Sequence, residues 1–150
     1  MSLELCRIID LPRISDGRGN LTVIEKQKHV PFDVQRVFYT YDLSATIRRG
    51  EHAHRSLEEV LICVSGSFDV YLDDGFNKNV YHLNTPTQGL YIPPFVWGTQ
   101  TNFSEGAVCL VLASQPYDEH DYFRNYKDFL KYVKAARDVS STDQILRCTV

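Results

Sequence analysis

The segment RRGEHAHRSLEEVLICVSG, residues 48–66, holds two histidines two positions apart and a glutamate five residues after the second. In a strand, residues i and i+2 share a face, so His52 and His54 project together and Ala53 points the other way. Together with a carboxylate, here Glu59, they form a 2-His-1-carboxylate set of the kind that holds Fe(II). As a pair alone they suit proton transfer near neutral pH, because an unperturbed imidazole titrates at about 6.5. Two solvent-facing histidines without chemistry are the third reading, and the residues by themselves leave all three open. With regular pairing, Arg48 falls on the histidine face and Arg49 on the other, although either could reach a diphosphate from a strand end.

The elements that must position this segment are mostly strands. LTVIEK follows the turn SDGRGN, and VQRVFYTYDL is rich in β-branched and aromatic residues. EEVLICVSGSFDVYLDDG predicts two strands joined at Ser65-Gly66-Ser67 and closed by the turn Asp74-Gly75. NVYHLN, GLYIPPFVWGTQTNF and AVCLVLAS follow, the second broken at Pro93-Pro94 because proline cannot donate to a ladder. Many short strands at close spacing predict a sandwich or barrel, over about residues 5–115. YDEHDYFRNYKDFLKYVKAARDV differs: Tyr122, Tyr126, Phe129 and Val133 recur at helical spacing, which predicts a helical segment over about 117–138, in one piece or two. With no repeat, low-complexity tract or linker, residues 1–150 read as a single domain.

Bulk properties remove several classes of function. Lys and Arg total 16 against 19 Asp and Glu, a net charge of −3, with no basic stripe for nucleic acid. No apolar run approaches the roughly 20 residues of a membrane span. MSLELCRIIDLPRISDGRGN mixes charges early and lacks an apolar signal region, so no signal peptide is expected. The four cysteines have no CxxC spacing, and Cys63 and Cys109 lie in apolar strands. They read as buried free thiols of a cytoplasmic protein.

The same residues resemble the cupins, small jelly-roll β-barrels. Their first motif, HxH then Glu then Gly, falls on His52, His54, Glu59 and Gly66, with the usual upstream glycine displaced to Gly50. Their second motif falls on Gly89, Pro93, Pro94, Phe95, Val96, Trp97, Gly98 and Asn102, with Gly98 at the position of the histidine ligand. The missing ligand weakens the metal reading. RRGEHAHRSLEEVLICVSGSF, GLYIPPFVW and YDEHDYFRNYKDFL, in that order, resemble the dTDP-sugar 3,4-ketoisomerases, over roughly residues 5–135. The resemblance implies a mainly β, cupin-type jelly-roll barrel with a short C-terminal helical segment, active as a homodimer. The implied reaction converts dTDP-4-keto-6-deoxy-D-glucose to its 3-keto isomer, for 3-amino-3,6-dideoxy sugars of polysaccharides, without metal or cofactor.

It also implies roles. His52 is the base at C3, and His54 its partner in orientation or proton relay. Arg18 lies at the sugar, and Arg48, Arg49 and Arg124 are candidates for the diphosphate, with an Asp121 or Asp128 ion pair as the alternative for Arg124. Tyr39, Tyr41, Tyr91 and Trp97 are core or lumen aromatics that could touch the nucleotide. Two departures stand out: Gly98, where relatives carry His or Arg, and Glu59, where they commonly carry Gln. Alternatives are an isomerase or epimerase of another nucleotide sugar, a metal-dependent cupin enzyme using His52, His54 and Glu59, or a non-catalytic sugar-nucleotide binding module.

Overall fold

The computed structural model describes residues 2–147, with side chains through residue 140. In chain order the strands are β1 (Arg7–Asp10), β2 (Ile14–Asp16), β3 (Gly19–Leu21), β4 (Arg36–Thr40), β5 (Arg49–His54), β6 (Glu59–Ser65), β7 (Phe68–Asp73), β8 (Lys78–Leu83), β9 (Gln88–Ile92), β10 (Trp97–Thr101), β11 (Val108–Ala113) and β12 (Tyr122–Phe123), followed by helix α1 (Tyr126–Arg147). Two five-stranded antiparallel sheets, ordered β1-β9-β6-β11-β4 and β12-β5-β10-β7-β8, make the expected jelly roll; β2 and β3 form a separate hairpin.

The apolar runs explain the layers. β6 is buried along Val60–Cys63, so its side chains serve two cores. Leu61 and Cys63 join Phe68, Val70, Leu90, Phe103 and Val111 between the sheets. Val60 and Ile62 pack outward against Leu11, Val30 and Phe32. The last two belong to the segment after LTVIEK. That run was expected as a strand, but β3 ends at Leu21 and Ile24 packs onto this outer core from irregular chain. Tertiary packing overrides β-propensity there. Pro93-Pro94 carries the chain from β9 in one sheet to β10 in the other, as its missing donors require.

The C-terminal segment departs from its predicted limits. Asn125 caps α1, its Oδ1 accepting from the N–H groups of Lys127 (2.9 Å) and Asp128 (3.2 Å), so the helix starts at 126 rather than near 117. It also runs past 138. Residues before the cap form a 3-10 turn, Glu119–Asp121, and strand β12, which places Tyr122 on a sheet. Phe129 and Val133 then pack on Ala53 and Phe123, fastening the helix to the back of β5. Cys6, Cys63 and Cys109 are buried free thiols; Cys148 lies outside the described residues. Among the described residues no helix is long and apolar enough to cross a membrane.

Candidate active site

A cavity of about 190 Å³ lies between the two sheets, and His52 and His54 line it. Both come from β5, where His52 pairs with Gly98 of β10 and His54 with Tyr122 of β12. The pairing of β5 with β10 is not regular. It passes from His52–Gly98 to Gly50–Thr99, which leaves Glu51 as an extra, bulged residue. Gly50 (φ +77°) and Glu51 (φ +57°) both adopt left-handed backbone. A Cβ on Gly50 would stand 2.9 Å from the Gly98 carbonyl oxygen, so only glycine fits there. The bulge reverses the expected facing of the two arginines. Arg49 lines the cavity beside the histidines, whereas Arg48 turns outward and pairs with Glu51 at 3.0 Å.

Each imidazole is held through Nδ1. His54 Nδ1 lies 3.1 Å from Asp121 Oδ2, and both residues are buried. His52 Nδ1 lies 3.0 Å from the Gly50 carbonyl oxygen. Both partners are acceptors, so each Nδ1 carries the proton and each Nε2 keeps its lone pair. Asp121 is itself fixed. It accepts from the Ser56 N–H (2.8 Å), the Ser56 hydroxyl (2.6 Å) and the Leu57 N–H (3.2 Å). The rings stand nearly edge to face, centroids 4.9 Å apart, with the Tyr122 ring 5.0 Å from His52 and 4.3 Å from His54.

Burial sets the electrostatics. It lowers the His52 pKa, against the pull of the Gly50 carbonyl. It lowers His54 further, to about 4, helped by His52 and opposed by Asp121. Both are therefore neutral bases at pH 7. Glu59 also lines the cavity, and burial raises its carboxyl to about 7 while Arg36 pulls it down. Glu59 orients neither histidine, since their Nδ1 atoms go to Asp121 and Gly50. Among the described residues no group of His, Cys, Asp and Glu is arranged to hold a metal ion, so His52, His54 and Glu59 do not converge as a ligand set.

The remaining predicted residues separate. Arg124 lines the cavity, lies 3.9 Å over the Tyr122 ring and donates two hydrogen bonds, from Nε and Nη2, to the Glu119 carboxylate at 2.9 Å each, instead of pairing with Asp121 or Asp128. That pairing holds Glu119 down to about 2. Trp97 points away from the cavity, edge-on to Tyr126 and against Phe129, because alternation on β10 turns Gly98 and Gln100 inward. Tyr39 is 60% exposed and stacks near Tyr41; its neighbours Phe38 and Thr40 face the cavity instead. Tyr91 lies in the outer core, donating to Glu58 at 2.5 Å. Arg18, 91% exposed, pairs with Asp16 at the tip of the β2–β3 hairpin.

Sequence reasoning missed three residues as parts of the site. Asp121 and Tyr122 lie 67 and 68 positions beyond His54, and only their presence in DEHDYF, a segment of the family resemblance, marked them. Arg36, on the inward face of β4, stacks over Phe38 and Tyr117 at 5.1 and 5.5 Å, and its charge reaches His52, His54 and Glu59. No local motif announces it.

Fold and site together define a cupin-type barrel that holds two neutral, oriented imidazoles in a small cavity also lined by Arg49 and Arg124. The family described as "FdtA: WxcM-like, C-terminal" matches residues 4–134, and the chain belongs to it. It is 45% identical over 127 residues, 85% of this chain and 91% of the other, to TDP-4-oxo-6-deoxy-alpha-D-glucose-3,4-oxoisomerase of Aneurinibacillus thermoaerophilus. Among solved structures it is similar to a histidine-to-asparagine mutant of the 3,4-ketoisomerase QdtA from Thermoanaerobacterium thermosaccharolyticum in complex with TDP-4-keto-6-deoxyglucose (TM-score 0.85, 42% identity, 87% of this chain and 94% of that one). It is also similar to the WlaRB TDP-quinovose 3,4-ketoisomerase of Campylobacter jejuni (TM-score 0.81, 48% identity, 84% and 97%).

Proposed function

We propose that this chain is a sugar-nucleotide 3,4-ketoisomerase that moves the ketone of dTDP-4-keto-6-deoxy-D-glucose from C4 to C3. The observation that carries the reading is the pair of neutral imidazoles with free Nε2 atoms in one cavity. The C3 hydrogen is acidified by the adjacent ketone. His52 takes it, the C3–C4 double bond forms, and the C4 oxygen gains negative charge as an enediolate. A proton delivered to C4 by the pair, with His54 as relay, and transfer of the O3 proton to O4 complete the isomerisation. No electron acceptor is needed. Asp121 supports His54 when it carries the proton, as a carboxylate steadies an imidazolium. Tyr122, which lines the cavity beside His54, and the positive charges of Arg124 and Arg36, which reach His52, are the candidates to stabilise the enediolate.

The diphosphate falls to Arg49 and Arg124, which line the cavity with the histidines. Gly98, opposite His52, leaves the space that a larger side chain would take; a Cβ there makes only one ordinary contact, 3.6 Å to Leu72. The C4 configuration of the product therefore depends on what reaches C4 past Gly98. The working form is a homodimer. In support, the β2–β3 hairpin exposes Ile14 (56%) and Leu21 (57%), and β4 is a sheet edge beside exposed Tyr39 and Tyr41. Arg18 and Tyr39 would then act across the interface rather than within one chain. The buried free thiols support a cytoplasmic location, and the product serves 3-amino-3,6-dideoxy sugar synthesis.

The test is incubation of EDTA-treated protein with dTDP-4-keto-6-deoxy-D-glucose, followed by NMR. The 3-keto isomer should form at the untreated rate. Activity lost on chelation and restored by one metal would replace this reading with a metal-dependent one. Binding of dTDP without turnover would replace it with a binding module.

A further inference from the structure

Buried polar side-chain atoms nearly always have a partner, so those that lack one call for an explanation. Among the described residues four such atoms have none: Arg36 Nε, Thr40 Oγ1, Gln100 Oε1 and Thr101 Oγ1. Two of the four, Thr40 Oγ1 and Gln100 Oε1, belong to residues lining the histidine cavity, from β4 in one sheet and β10 in the other. Gln100 follows Gly98 by two positions, so it shares the inward face and lies about 7 Å along the strand from the point opposite His52. That is within reach of a hexose whose C3 and C4 meet the imidazoles. Leu61, Val70 and Val111 make an apolar wall in the same cavity, suited to a C6 methyl group.

A 4-keto-6-deoxyhexose linked to a nucleotide through C1 has free hydroxyls at C2 and C3 alone. O3 takes part in the reaction at the histidines. The hydroxyl that does not react is therefore the one at C2. A hydroxyl both donates and accepts, as does Thr40, whereas Gln100 Oε1 accepts. We infer that Thr40 and Gln100 form a specificity site that holds the sugar's C2 hydroxyl, with the C2 hydroxyl donating to Gln100 Oε1 and accepting from the Thr40 hydroxyl. This deepens the ketoisomerase reading and rests on it. The consequence is selection: the cavity favours hexoses with a C2 hydroxyl over 2-deoxy sugars, because the analogue leaves both buried atoms unpartnered.

The experiment compares kcat/KM for dTDP-4-keto-6-deoxy-D-glucose and its 2-deoxy counterpart, in wild type and in Gln100→Leu, Thr40→Val and Thr40→Ser. Wild type should prefer the 2-hydroxy substrate by tenfold or more, a modest part of the discrimination that a pocket built for a hydroxyl can reach. Gln100→Leu and Thr40→Val should each reduce that ratio several-fold, while Thr40→Ser, which keeps the hydroxyl, should retain it. A loss of packing alone lowers both rates and leaves the ratio intact, so an unchanged ratio in both apolar variants overturns the inference. Equal turnover of the two sugars by wild type overturns it too, and leaves the isomerase reading standing. Failure of wild type to isomerise the 2-hydroxy sugar overturns that reading itself.

Discussion

The β2–β3 hairpin and strand β12 are both short excursions from the barrel, yet they are held in opposite ways. Bonds at the hairpin tip are its own: Ser15 to Asn20 at 2.6 Å and Arg18 to Asp16 at 2.6 Å, all exposed. The turn into β12 is tied to the β5–β6 connection at several points. The Arg55 N–H donates to the Asp121 carbonyl (2.8 Å), and the Asp121 carboxylate takes Ser56 and Leu57 as well as His54. Arg55 lies 3.7 Å over the Phe123 ring, and α1 packs behind. A group that must orient a base is fixed by buried, fully partnered bonds. A segment without such bonds opens at little cost.

The largest effect should come from the bases themselves. His52→Asn and His54→Asn should each lower kcat by about 10²–10⁴-fold with little change in thermal midpoint, as general acid–base groups do. Wild-type rates in both folded variants would remove the histidines from the mechanism.

Next is the β12 side of the comparison. Asp121→Ala strips the acceptor from two backbone N–H groups, a hydroxyl and His54 Nδ1. It should cost about 2–4 kcal/mol in denaturant unfolding, by leaving buried donors unpaired. Asp121→Asn should fold better but lower kcat about 10–10²-fold with KM little changed, because the charge behind His54 is gone. Equal kcat in wild type and Asp121→Asn would reduce Asp121 to a structural bond.

Glu59 offers a pH test of burial on the cavity wall. Its folded pKa, about 7, lies above its ordinary value of 4.5, so the folded state holds the proton longer than the unfolded one. Stability from this group is present below pH 4.5 and is lost as pH rises through 7. Glu59→Gln should therefore stabilise the protein by about 1–3 kcal/mol at pH 8.5 and leave it nearly unchanged at pH 4.5. A pH-independent difference would mean that Glu59 is ionised in the fold.

The smallest effect belongs to the hairpin. Asp16→Ala, which removes the exposed pair with Arg18, should leave the denaturant midpoint of unfolding unchanged. A lowered midpoint would show the hairpin to be fastened, against the contrast drawn above.

Much of this was legible in the sequence, for local reasons. Alternation and turns gave the strands; Pro93-Pro94 gave a strand break; period two put His52 and His54 on one face. What escaped depends on long-range pairing. One bulged residue, Glu51, exchanges the facing of Arg48 and Arg49, and no pattern in RRGEH reveals it. Trp97 reads from sequence as either a core or a lumen aromatic, and only the pairing of Gly98 with His52 assigns it to the core behind β5. Tyr122 fits a helical period with Tyr126, but the Asn125 cap separates them. Asp121 becomes the partner of His54 only when the chain returns after the full barrel.

Proton transfer by the histidine pair is most directly tested by running the isomerisation of dTDP-4-keto-6-deoxy-D-glucose in deuterated water under NMR. The account predicts a 3-keto product with deuterium at C4 from wild type, and loss of both product and label when His52 and His54 are replaced together by Asn in a folded protein. Labelled product formed at the wild-type rate by that double variant would contradict it.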